Sequence, residues 1–194
     1  MVSATTRRPP RWPTVMLAVF CVLATLSILQ GIADIVIPTL IGGEPFGFLY
    51  ALTDEFGPGF FIAYIFIHNL GLACLVPGYG FLAAYFERRT ANRFLVGVLL
   101  TGAVVSTILV AAQFIFSVPG SFHLPTSLAL LVGETCGVLG LAVASAMELR
   151  GFVPTRAYEW SLVKPFKALA VPFAYSVGVL LLLSLFEAWI VLGA

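Results

Sequence analysis

An all-α, polytopic transmembrane helical bundle is the fold this sequence predicts, and three observations predict it. Hydrophobic residues make up 60% of the chain and charged ones only 10%, the mean hydropathy is +1.06, and the apolar residues gather in runs of the ~20 or more that a bilayer crossing takes. Soluble domains carry about a quarter charged residues, so a soluble enzyme or a basic nucleic-acid-binding domain is excluded. At 194 residues the expectation is one bundle without a separate soluble domain.

Residues 1–13 form a polar, proline-rich basic tail with Arg7, Arg8 and Arg11. The run 14–38 is longer than the apolar region of a signal peptide and ends in no small-x-small cleavage site, so it reads as an uncleaved first span. Residues 39–59 are interrupted by Gly42, Gly43, Pro45, Gly47, Gly57 and Pro58 and mix Phe46, Phe48, Tyr50 and Phe56 with Glu44, Asp54 and Glu55. That mixture suits an interfacial segment with one amphipathic turn rather than a span.

The second span, 60–86, is the one the chain is organised around. It carries His68 and Asn69 at mid-span and then Pro77-Gly78-x-Gly80, a helix break that neighbouring segments must compensate in lipid. Spans three, four and five are expected at 94–118, 126–149 and 168–192. The loop 150–167 sets Arg156, Lys164 and Lys167 beside Tyr158 and Trp160. It reads as a surface helix on anionic lipid, with a docking place for a cytoplasmic partner as the alternative.

Five spans put the tail, the second-to-third loop and the fourth-to-fifth loop on one side. Every basic residue then falls there: Arg7, Arg8, Arg11, Arg88, Arg89, Arg93, Arg150, Arg156, Lys164 and Lys167. Glu44, Asp54 and Glu55 fall on the other. The positive-inside rule makes the N-terminus cytoplasmic and the C-terminus external, in the cell membrane.

At about 1.5 Å per helical residue, Asp34, His68 beside Asn69, Glu134 and Glu187 come to the outer half of their spans, with Gln113 near the outer end of the third. An unpaired charge at mid-bilayer costs a few kcal/mol, so these groups must face one another or water. Two arrangements satisfy that. One is an outward-facing polar vestibule lined by Asp34, His68, Asn69, Glu134 and Glu187. In the other, Asp34 and Glu187 reach the headgroups and His68 pairs with Glu134 between helices two and four. Proton relay between His68 and a glutamate is chemically open.

No metal is expected, because His68, His123, Glu134 and Glu187 include no pair at H-x-x-x-H or E-x-x-H spacing. Cys21, Cys74 and Cys136 stand singly in apolar runs and read as packing residues. With no phosphate loop, dinucleotide fingerprint or nucleophile elbow, neither a cofactor nor a catalytic residue is expected. Gly133-x-x-x-Gly137 followed by Gly140 lets the fourth helix approach a neighbour closely, either within the chain or in another subunit.

The ordered set IFIHNLGLACLVPGYGFLAAYF, TANRFLVGVLL, HLPTSLALLVGETCGVLG and LLLSLFEAWI resembles the stage II sporulation protein M-like membrane proteins, particularly their archaeal members. Asn69, Pro77, Gly78, Gly80, His123, Glu134, Glu187 and Ala188 are the matching positions, over about 63–192. The chain departs from that pattern at Ser-Phe-His-Leu-Pro, where the family has Pro-His, and at Ala91-Asn92, where a glycine is usual. The resemblance implies a five-span envelope protein with no assigned reaction, working through partners. Two functional expectations follow. The first is a non-enzymatic accessory or assembly subunit of a membrane or envelope complex, bound to lipid and to other membrane subunits or to copies of itself. The alternative is a small oligomeric transporter or channel that uses the outer polar residues.

Overall fold

The apolar runs become helices. The computed structural model describes residues 11–87, 93–117, 124–152 and 158–193, and among them there is no strand. The elements are α1 (Trp12–Ile41), α2 (Gly47–Phe56), α3 (Pro58–Phe86), α4 (Arg93–Ser117), α5 (Leu124–Gly151), α6 (Tyr158–Ala168) and α7 (Ala170–Leu192). By length and composition, α1, α3, the Thr126–Gly151 part of α5 and α7 are long and apolar enough to cross a membrane. The apolar stretch Arg93–Leu109 of α4 is shorter. Arg7, Arg8, Arg88, Arg89, His123 and Arg156 lie outside the described residues, as does the side chain of Gln113.

The central helix is α3. Of its most apolar window 61% is buried, against 22% for α1, 39% for α5 and 28% for α7. Two glycines bring it against α1. A Cβ at Gly71 would run into the Leu23 carbonyl oxygen and stand 2.5 Å from Ser27 Cβ, and one at Gly78 would stand 3.0 Å from the Phe20 backbone. On the other side, α5 packs on α7 through small residues, as the glycine pattern suggests. A Cβ at Gly133, Gly137 or Gly140 would meet Leu183, Leu180 or Tyr175 of α7. Ser176 Oγ donates to the Gly137 carbonyl at 2.7 Å. These glycines therefore serve contact within the chain.

Proline explains both irregular turns. Pro38 has no N–H to give the Asp34 carbonyl four residues earlier. α1 widens into a π-turn over Ile32–Val36, with Ile37 N–H bonded five residues back to Ile32. The freed Asp34 carbonyl accepts instead from Phe46 N–H at 3.0 Å, which ties the start of α2 onto α1. Pro77 produces the second π-turn, Val76–Gly80, at the expected break Pro77-Gly78-x-Gly80.

The corner into α3 is Gly57, at φ +84°, a conformation that glycine alone adopts freely. Pro58 then opens the helix with its fixed φ. At this corner α2 folds back over the bundle, burying Leu49 and Thr53 and leaving Glu44, Asp54 and Glu55 exposed.

At the opposite end α6 is more deeply packed than a helix lying only on lipid. Leu162, Phe166 and Leu169 are buried, and Phe166 meets Phe20 and Phe81 edge-on with centroids 5.7 and 5.3 Å apart. Among its described side chains, Lys164 and Lys167 are exposed. Arg11, Arg93 and Arg150 are also exposed, and the described basic residues thus lie at the end away from α2.

Candidate functional site

Two apolar clusters fill the bundle. The larger holds Phe20, Leu70, Phe81, Val138, Leu141 and Leu180. The smaller, beneath α2, holds Phe46, Leu49, Phe61, Ile65 and Ala188. The sequence positions of the polar residues place them between the two: on α3, His68 and Asn69 fall after Ile65 and before Leu70, and on α7, Glu187 falls after Leu180 and before Ala188. The result is a polar layer under an apolar cap.

All five expected residues are enclosed in this layer. Exposure is 3% for Asp34, 7% for His68, 3% for Asn69, 6% for Glu134 and 5% for Glu187. In this structure they do not open onto a vestibule, and the Asp34 and Glu187 side chains are enclosed by protein. The layer has two halves, set by the rotation of α3. Successive helical residues point about 100° apart, so His68 turns toward α1 and Asn69 toward α5.

In the first half, Tyr64 Oη donates to Asp34 Oδ2 at 2.6 Å, and His68 Nδ1 lies 3.5 Å from Ser27 Oγ. Gln30 Nε2 donates to the Tyr64 carbonyl at 3.4 Å. The π-turn of α1 carries Asp34 within reach of Tyr64, a use consistent with π-turns at functional positions. In the second half, Asn69 Nδ2 donates to Glu134 Oε1 at 2.9 Å. The Glu187 carboxyl comes within hydrogen-bonding reach of the Glu134 carboxyl. The expected His68–Glu134 pair is therefore replaced by two separate pairings, His68 with Ser27 and Asn69 with Glu134.

The cap also shields the layer at its α7 side. Tyr50 of α2 is partly buried there, and burial, with the Glu187 carboxyl as the smaller cause, raises its phenol above the usual tyrosine range. Phe46 is held at φ +62°, a backbone conformation that costs a non-glycine residue about 1–3 kcal/mol. Its bond to the Asp34 carbonyl and its buried ring, 3% exposed, compensate.

Four buried polar atoms lack a hydrogen-bond partner among the described residues: Gln30 Oε1, Asp34 Oδ1, His68 Nε2 and Glu187 Oε2. Each is a place for a proton, a water or a small ligand. Among the described residues no three His, Cys, Asp or Glu converge as a metal-holding group.

Reasoning from the sequence missed Tyr64, Ser27, Gln30 and Gly71. Tyr64 stands one turn before His68 on the same face, a spacing that carried the signal. Tyr64→Phe removes the donor to Asp34 Oδ2 and is expected to lower stability by about 1–3 kcal/mol, read as a fall in unfolding temperature in detergent. An unchanged temperature would show that this bond contributes nothing. In comparison with known proteins, the chain matches no family model, no curated protein and no solved structure.

Proposed function

We propose that this chain is a five-span protein of the cell membrane, N-terminus inside and C-terminus outside, acting as a non-enzymatic accessory or assembly subunit of a membrane or envelope complex. The observation that carries this reading is the closed polar layer: its side chains are spent largely on one another between two apolar clusters. Bonds of this kind hold helices in register. Support for orientation comes from the exposed cations Arg11, Arg93, Arg150, Lys164 and Lys167 at one end and the exposed acids Glu44, Asp54 and Glu55 at the other. Support for α4 as a span, the third in chain order and the one that brings the total to five, comes from its 25-residue length. The resemblance to the stage II sporulation protein M-like proteins is a further support, through Asn69, Glu134 and Glu187, three of its positions that meet here.

One observation favours a second reading, a small oligomeric transporter or channel. Two carboxylates about 4 Å apart repel by about 4 kcal/mol at an effective dielectric of about 20. A facing pair such as Glu134 and Glu187 is settled by one shared proton. A pair that takes up and releases a proton is a coupling device in membrane transport.

Purification of the native protein in mild detergent, with quantitative mass spectrometry of what co-elutes, separates the two. Partner proteins in fixed stoichiometry are the expected result. A homo-oligomer carrying only lipid, with proton or ion flux in proteoliposomes that Glu134→Gln abolishes, overturns the subunit reading in favour of transport.

A further inference from the structure

Between α1, α3 and the start of α2 lies a cavity of about 10 Å³, walled by Ile35, Phe46 and Ile65 and by Asp34, Tyr64 and His68. Asp34 and His68 are 3% and 7% exposed, and each presents one unpartnered atom, Oδ1 and Nε2. Two residues that line one small cavity thus each carry an orphaned polar atom, which points to a bridging group. A cavity of about 10–15 Å³ by this measure holds one water, and a buried water requires two to four polar partners.

We propose that this cavity binds one water molecule, which joins His68 Nε2 to Asp34 Oδ1 and completes a chain of hydrogen bonds between α1 and α3. Ser27 pairs with His68 Nδ1, its Oγ 3.5 Å away, which leaves Nε2 for the water. The water in turn donates to Asp34 Oδ1, whose other oxygen already accepts from Tyr64 Oη. Ser27 and Asp34 stand about two turns apart on α1, and Tyr64 and His68 one turn apart on α3, so each helix supplies two members of the chain.

Water fits this site better than a metal ion. A cation needs three or four ligands, whereas the cavity offers two uncommitted polar atoms and otherwise apolar walls. One of those atoms is a carboxylate acceptor and the other a ring nitrogen that accepts or donates with its tautomer. Water both accepts and donates, so it serves the site in either tautomer. The site is independent of either functional reading above.

Infrared difference spectra of the protein in lipid nanodiscs, recorded in H₂¹⁶O and H₂¹⁸O, test it. The wild type is expected to show a strongly hydrogen-bonded water band that shifts with the heavier isotope. Gly31 also lines the cavity, and a Cβ there meets only His68 Cε1, at 3.8 Å. Gly31→Ala is therefore expected to fold with an unchanged or raised unfolding temperature and to lose the band, because its methyl group takes the water's place. His68→Phe, which removes Nε2, is expected to lose it too. A wild type without the band, a band unchanged in both variants, or one equivalent of bound metal in the wild type that His68→Phe removes, would each overturn the proposal.

Discussion

Gly71→Ala is expected to abolish recovery of folded protein. A methyl group there meets the Leu23 carbonyl oxygen and Ser27 Cβ, both fixed parts of α1, so relief requires moving one helix axis away from the other. Overpacking a well-filled core costs about 1–3 kcal/mol when side chains can give way, and here the obstacle is backbone, which raises the cost beyond that range. Gly78→Ala is expected to be milder, since its nearest atoms on α1 stand at 3.0 Å and a shift of a few tenths of an ångström relieves it. Gly97→Ala and Gly102→Ala are the controls: nothing lies within 4 Å of either Cβ position, and alanine favours the helix by about 0.5–1 kcal/mol. Size-exclusion profiles and unfolding temperatures in detergent provide the ranking. Gly71→Ala behaving like Gly97→Ala would mean that α1 and α3 do not cross at this point.

The second large effect is expected at Asn69. Asn69→Leu leaves Glu134 Oε1 buried without its donor and is expected to cost about 1–3 kcal/mol. Glu134→Leu removes the acceptor and the carboxyl facing Glu187 together, so the double variant is expected to be more stable than the two single losses added. A coupling of about 1–3 kcal/mol is the range for side chains in direct contact. Strict additivity would show that the 2.9 Å bond is not made in the membrane.

The parts of this structure that were legible in the sequence are those set by composition along a single segment. A bilayer-length apolar run has one helical solution, and Pro77-Gly78-x-Gly80 disturbs a helix wherever it is packed. Gly133, Gly137 and Gly140 marked a close approach, but the sequence left the partner open, because Leu180 and Leu183 of α7 look like any lipid-facing leucines until the helices are placed. The polar residues were legible as a layer, since depth follows from position along a span. Their partners were not, because pairing depends on helix rotation: His68 and Asn69 are adjacent in sequence yet face different helices. The Tyr64 partner of Asp34 is not legible because the effect of Pro38 on the turn before it, and the docking of Phe46 on the freed carbonyl, are tertiary events. Gly71 was overlooked for a similar reason, as one glycine between two leucines carries no pattern of its own.

Accessibility of the polar layer tests the central claim most directly, namely that Asp34, His68, Asn69, Glu134 and Glu187 form a closed layer sealed by α2. In a background with Cys21, Cys74 and Cys136 replaced by alanine, the variants His68→Cys, Glu134→Cys and Glu187→Cys are exposed in intact cells to a membrane-impermeant thiol reagent, with Glu44→Cys and Glu55→Cys as accessible references. The account predicts labelling at the two references and none at the three layer positions. Labelling of the layer at the rate of the references would contradict it and show an open path from outside to the Glu134–Glu187 pair.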